Sequence, residues 1–492
     1  MRISGVVSKI AVRGDVAARN EARAPVLLLL LDCMRGREPG CTARRRRWGA
    51  CFSALAIAVA GASSSAHAQA ISPLTPPASP PWNAESVFEP VPYAKWWSHY
   101  PGEKIEPEDT PVVTRRWPGY EERGIRSGSW MYYPSVSVGA LYDSNVFATQ
   151  SGRKSDIAAI ENPSLRVTSL SDRNPVTFDA YVKSRQFSHY SDLDQTDASI
   201  RAKGRVDITH DSGILYNFQA AYLHEAIGSL SSPLNAAQPT PYTYTHENVT
   251  YWKQFGRTTV SFGARNDNYD FGSTRAQNGS TINQDSRDGS IYAGHARVDY
   301  AWNGNLGLFT AFEGNVRDLK GTPSGSLSSH GYRSLTGINF NLTHLIGGEI
   351  GAGYTSQRFD DPTIGTVSGP AYRALLTWSP RRSIDVKFKA EEISTEAVET
   401  VASDVRAQSL MLGVDYEFRR NVVLSAFAGY ENDKFFGQDR RDDVYSATAS
   451  LQYLLNRYSS VALNYKYVNR NSNLPTAVYD KHEIGLDVTA HF

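Results

Sequence analysis

The chain has 492 residues, 41% of them hydrophobic and 11% aromatic, with 27 tyrosines and a mean hydropathy of −0.40. Length alone suggests two or three soluble domains, and no stretch beyond the N-terminal leader offers the roughly 18 apolar residues that a spanning helix needs. A membrane barrel stays open, because barrel strands spread their apolar residues over alternate positions and look polar on average. Residues 1–68 hold 11 of the 51 basic and 4 of the 50 acidic residues, so the remainder carries 40 against 46, a net −6. That balance gives no case for nucleic acid as a partner.

Arg44 to Arg47 form a basic n-region, Trp48 to Ala62 an apolar h-region and residues 63–68 a small-residue c-region. This is the layout of a cleaved secretory signal, and cleavage after Ala68 or Ala70 fits equally well. An arginine run alone also suits a nuclear-import patch, but the apolar run and Ala-x-Ala site directly behind it favour export. Cys33, Cys41 and Cys51 all lie in or before the signal. The mature chain then has no cysteine, as suits an oxidising compartment without a disulfide framework. Cys51 precedes most of the h-region, which rules out a lipoprotein box. Residues 1–42 are an Arg-rich extension, and Met34 would start a signal of more ordinary length.

The expected organisation is an extension plus cleaved signal over residues 1–68, a Pro-rich periplasmic segment over 69–130, and a barrel over 131–492. In the middle segment, residues 71–82 are Pro-rich and further prolines stand at Pro90, Pro92, Pro101, Pro107, Pro111 and Pro118. Such chain reads as an extended linker. Trp96, Trp97, Tyr100, Trp117 and Tyr120 offer docking groups. Disordered chain with local aromatic contacts is the plain reading, and a periplasmic plug or partner-docking arm the sharper one.

From Met131 the texture becomes strand-length alternation broken by turn residues. In residues 384–391, Ile384, Val386, Phe388 and Ala390 alternate with Asp385, Lys387, Lys389 and Glu391. Short connections near residues 171–174, 211–213, 255–257, 303–305, 343–347, 379–382, 419–421 and 456–457 alternate strictly with nine longer ones. This arrangement predicts an all-β, antiparallel up-and-down transmembrane barrel of about 18 strands, or 16 or 20 if a hairpin is missed or split. A soluble sandwich, propeller or solenoid alternates similarly. The charged polar face, the two loop lengths and the absence of blade or coil repeats argue against those. Aromatic pairs near strand ends, such as Tyr269/Phe271, Phe435/Phe436 and Tyr453/Tyr458, are expected in interfacial girdles.

Two segments carry a more specific resemblance. Arg116-Trp117-Pro118-Gly119-Tyr120 leads through Gly124 and Trp130 into Tyr133-Pro134-Ser135-Val136-Ser137-Val138-Gly139 and then Tyr142-Asp143-Ser144-Asn145-Val146-Phe147. This opening resembles the putative β-barrel porin 2 family of Gram-negative outer-membrane proteins, over roughly residues 116–492. The last residues, Ile484, Leu486, Val488, Ala490 and Phe492 on one face, resemble the closing strand that barrel-insertion machinery reads, with Phe492 as the insertion signal. The family resemblance implies localisation in the outer membrane and a pore role in transport. It also implies a link to exopolysaccharide genes, hence an alternative role with periplasmic polysaccharide-export components. It implies no catalytic residue and no cofactor. Outer-membrane lipid, lipopolysaccharide and the barrel-assembly machinery are the expected partners.

A barrel of 16–18 strands is wide enough to leave an aqueous channel. The expected inward-facing charges are Asp179, Lys183, Arg185, Arg201, Lys203, Arg205, Asp207, Arg297, Asp299, Glu313, Arg317, Asp385, Lys387, Lys389, Glu391, Asp415 and Glu417, with Lys466 and Asp487. Ten are basic and nine acidic, a mixture that suits neutral or zwitterionic solutes in passive diffusion. Many are expected to pair across neighbouring strands. The third long loop, residues 227–242, carries no acidic residue and no other charge, so it would narrow the channel only sterically if it folds inward. Catalytic patterns are weak: His224-Glu225 and His482-Glu483 lack a second histidine at metalloprotease spacing. An outer-membrane hydrolase or a purely structural barrel is the reading from another class. Asp192, Asp194 and Asp197 are close enough in sequence to suggest Ca²⁺, against a solvated acidic loop.

Overall fold

The structure, a computed structural model, describes residues 111–491 except 114, 116, 172, 322–325, 343–344 and 399–401. Phe492 and residues 69–110 therefore lie outside the described residues. Eighteen long strands run in chain order. The first nine are β1 (Trp130–Asp143), β2 (Asp156–Ser169), β3 (Val176–Phe187), β4 (Gln195–Thr209), β5 (Ser212–Glu225), β6 (Thr240–Phe255), β7 (Thr258–Phe271), β8 (Gly289–Ala301) and β9 (Leu306–Leu319). The rest are β10 (Ser329–Leu342), β11 (Ile346–Phe359), β12 (Thr366–Arg381), β13 (Ile384–Val398), β14 (Ala402–Arg419), β15 (Val422–Phe436), β16 (Arg441–Asn456), β17 (Ser459–Ser472) and β18 (Tyr479–His491).

Each strand pairs antiparallel with its neighbour in the chain, and β1 pairs with β18 from Ser135–His491 to Asp143–Glu483. The sheet is a closed barrel. Closure leaves no strand edge with unpaired backbone groups, which a sheet in hydrocarbon cannot tolerate. Eight connections lie at one end of the barrel and nine at the other, as expected, and most of the nine are longer. Two are not: residues 399–401 after β13 are no more than residues 343–345 after β10, and residues 437–440 are fewer than residues 170–175.

The two-residue period sorts the side chains. Val138, Ile157, Ile200, Leu412, Leu463 and, on the closing strand, Ile484, Leu486 and Val488 are exposed on the outside. The alternate positions bury Asp143, Asp267, Arg297, Glu349, Asp415 and Asp442 on the inside. Two girdle expectations are corrected by this parity. Tyr269, Phe271 and Phe435 fall on the inner register and are at most 3% exposed, so they pack within the lumen. Tyr453 and Tyr458 do face outward, at 41% and 48% exposed. The seventh long loop is also shorter than the expected residues 395–402, because β13 runs to Val398 and β14 restarts at Ala402.

The turn between β4 and β5 has a pH-dependent tie. Asp211 accepts hydrogen bonds from Lys253 Nζ at 2.7 Å and Thr209 Oγ1 at 2.6 Å. Those donors, Lys253 foremost, pull its carboxyl down to about 2. A depressed acid stabilises the fold above its unfolded value of about 3.9, and the contribution disappears as pH falls through about 2. Asp211→Asn should remove this acid-dependent component, read as the urea midpoint of the folded barrel between about pH 4 and pH 2.

Candidate functional site

The third long loop, residues 226–239, leaves β5 and folds into the barrel. Leu230 packs with Val405 of β14 and Phe435 of β15, nine and ten strands on from β5. A loop that touches the wall so far round the barrel must cross the lumen. Its flank is tied to β17 and β18, where Arg470 Nη1 donates to Ser229 O at 3.4 Å and Tyr479 Oη to Gly228 O at 2.8 Å. Gly228 has φ +81°, and a Cβ there would sit 2.5 Å from Ala148 Cβ, so only glycine fits.

The other long loops hold this one in place. Ile227 and Ala236 bury with Val146 and Leu193 of the first and second loops. Ala236 bridges Ala276 in the fourth loop, where Ala237 N donates to Arg275 O at 2.7 Å and Gln277 N to Asn235 O at 2.9 Å. The crossing segment carries no charge. Ser231 and Ser232 are almost fully buried with it.

The nineteen charges expected inside all fall on the strand face opposite the exposed apolar residues. Few stand alone. Arg166 pairs with Asp179 at 2.7 Å, Arg205 with Asp207 at 2.8 Å, Lys387 with Asp415 at 2.6 Å and Lys466 with Glu483 at 3.4 Å. Lys389 pairs with Glu391. Arg201 Nε donates to Asn217 at 2.8 Å, and Asp487 accepts from Asn464 at 2.8 Å. Arg265 links Asp267 at 3.2 Å and Glu313 at 3.4 Å. Arg297 lies 4.2 Å over the Phe309 ring and bridges Asp299 and Glu349, each at 2.8 Å. The tip of the Phe309 ring in turn abuts Gly351, where a Cβ would approach Cζ to 2.7 Å.

Several interior charges escaped the sequence reading: Arg265, Asp267, Arg287, Glu349, Asp442, Lys481 and Glu483. Glu349 hides in a glycine-rich strand whose alternation is faint, although it shares the parity of Gly351 and Gly353. Arg287 is in a loop and reaches back to Glu225 through two hydrogen bonds of 2.9 and 3.0 Å. The three aspartates considered for calcium do not converge. Asp192 accepts from Gln238 at 3.0 Å, Asp194 from Phe187 N at 2.7 Å, and Asp197 faces His224 Nδ1 at 2.9 Å. Among the described residues no group of acids and histidines could hold a metal ion.

At the turn end, two of the expected inward acids hold the N-terminal segment instead. Val112 N donates to Asp385 Oδ2 at 2.7 Å, and Trp117 Nε1 to Glu417 Oε1 at 2.7 Å. Arg115 hydrogen-bonds the Arg382 carbonyl and pairs with Glu417 at 3.3 Å. Arg420 lies 4.8 Å over the Trp117 ring. The segment enters β1 yet docks on β13 and β14, so it forms a strap across this mouth. Its neighbour, the strand Ile125–Ser127, folds back on β1.

A family model described as putative beta-barrel porin 2 matches residues 117–492. The chain belongs to that family. It is thereby an outer-membrane β-barrel of porin type, and the turn end is the periplasmic one. Among solved structures, OpdL from Pseudomonas aeruginosa is 13% identical, covering 74% of this chain and 99% of its own, with a TM-score of 0.40. A BenF-like porin from Pseudomonas fluorescens is 10% identical, with 73% and 99% covered and a TM-score of 0.40. The siderophore receptor PirA from Acinetobacter baumannii is 8% identical, with 73% and 80% covered and a TM-score of 0.37. No curated protein matches the chain.

Proposed function

We propose that this family member is a passive channel for small hydrophilic solutes, with the third external loop as its size filter. The observation that carries this reading is the uncharged loop crossing a lumen whose wall charges are largely paired with one another. A closed barrel of 18 strands leaves room for an aqueous path. Charges satisfied in opposite-sign pairs along the wall solvate that path without imposing one sign on it. Discrimination then falls to cross-section, which the loop sets sterically.

Stepwise conductance of the folded, full-length barrel in planar bilayers, with little preference between cations and anions, is the expected result. Absence of conductance from folded protein would overturn the diffusion reading. Strong selectivity for one sign would overturn the steric account of the filter.

A further inference from the structure

We propose that the outer face of β15 and β16 at the external rim binds a phosphate group carried by an acylated glycolipid of the external leaflet. Lys434 and Arg441 stand directly opposite each other on these strands, and both are exposed. Like charges in direct cross-strand opposition are destabilising. Neither makes an ion pair among the described residues. A third cation, Arg406, stands opposite Lys434 on the other side, already tied to Glu392 at 2.6 Å. Among the described side chains, Asp443 stands diagonal to Lys434 on this face and is engaged by neutral donors: Tyr430 Oη at 2.7 Å and Asn432 Nδ2 at 2.8 Å. Lys434 Nζ rests 4.9 Å from the Phe436 ring, which leaves its N–H groups available. Among the described side chains the pair therefore lacks an anion.

Its depth selects the source of that anion. Tyr430 and Tyr445 face each other on the same outer seam with ring centroids 5.2 Å apart, as an interfacial aromatic pair does. Lys434 lies four residues further out, about 13 Å along the strand and roughly 10 Å higher at the usual tilt, at headgroup level. Inward of the tyrosines the seam narrows to Ala428 opposite Ala447 and Ala426 opposite Ala449. These small pairs form a trough between Leu412 and Val414 on one side and Tyr465 and Tyr467 on the other. An acyl chain below a phosphate fits this order of cations, tyrosines and alanines. Free phosphate would use only the top.

The test uses the full-length folded barrel and three probes: bisphosphorylated lipid A, its dephosphorylated form, and inorganic phosphate. Native mass spectrometry after detergent exchange should show one retained lipid A on the parent. Retention should fall about tenfold or more in Lys434→Glu/Arg441→Glu, since each cation near a phosphate layer contributes a comparable factor. Lys434→Arg/Arg441→Lys should keep it, and Ala428→Trp should weaken it without removing a charge. Equal retention by parent and charge-reversed protein, or of the dephosphorylated lipid, overturns the proposal. So does retention unaffected by Ala428→Trp but competed by inorganic phosphate, which would mark a free-anion site. Heat-modifiable mobility on gels confirms folding, and Lys434→Gln/Arg441→Gln replaces any reversed variant that fails it.

Discussion

Trp117→Ala combined with Glu417→Ala should raise the open fraction of the channel about tenfold in planar bilayers. These two residues supply three of the contacts that hold the strap at the periplasmic mouth: Trp117 to Glu417, Arg115 to Glu417 and Arg420 over Trp117. Removing the indole takes away its hydrogen bond to Glu417 and its stacking under Arg420. Removing the carboxylate also takes away the ion-pair partner of Arg115, which keeps its hydrogen bond to the Arg382 carbonyl. A hydrogen bond to a charged group contributes about 1.5–3 kcal/mol and a cation–π contact about 0.5–1 kcal/mol. Their joint loss shifts a docked–undocked equilibrium by an order of magnitude or more. Glu417→Gln retains an acceptor for Trp117 while losing the charge that Arg115 uses, so it should fall between parent and double variant. An unchanged open fraction in the double variant would show that the docked strap leaves the mouth clear.

Shortening the third external loop by removing residues 229–235 should increase unitary conductance by at least about twofold, because current follows the narrowest cross-section. Ion preference should hardly move, since no charge is removed. Leu230→Asp tests the same contact differently. It places a carboxylate between Val405 and Phe435, and burying an unpaired charge costs several kcal/mol, so the loop tip should leave the wall. The two variants should agree in conductance, and only the aspartate should favour cations. Parent-like conductance in the shortened barrel would sink the size-filter assignment.

The barrel itself was legible because its physics is local. Residues 384–391 alternate without interruption, and that period alone assigns Asp385, Lys387, Lys389 and Glu391 to one face. Loop lengths then count the hairpins. Contacts between segments remote in sequence were not legible. Strand parity alone makes Asp385 and Glu417 wall charges, yet their partners Val112, Arg115 and Trp117 lie some 270 to 300 positions away. Composition showed that the third loop is uncharged but not that it turns inward, which depends on Leu230 meeting Val405 and Phe435. Tyr269 and Phe271 were misplaced for a simpler reason. Aromatic residues near a strand end look alike from either face until the parity of the strand is followed through.

The seam between β1 and β18 has a kinetic consequence. Every other strand pairs with a chain neighbour, whereas this one joins Ser135 to His491 across the whole domain. Closing a loop of some 350 residues costs about 3 kcal/mol more in chain entropy than closing one of ten. Until the last strand arrives, a curved sheet with two bare edges must be kept from pairing with other chains. Assembly should therefore have one late, slow step, and β18 should govern its rate far more than any hairpin between.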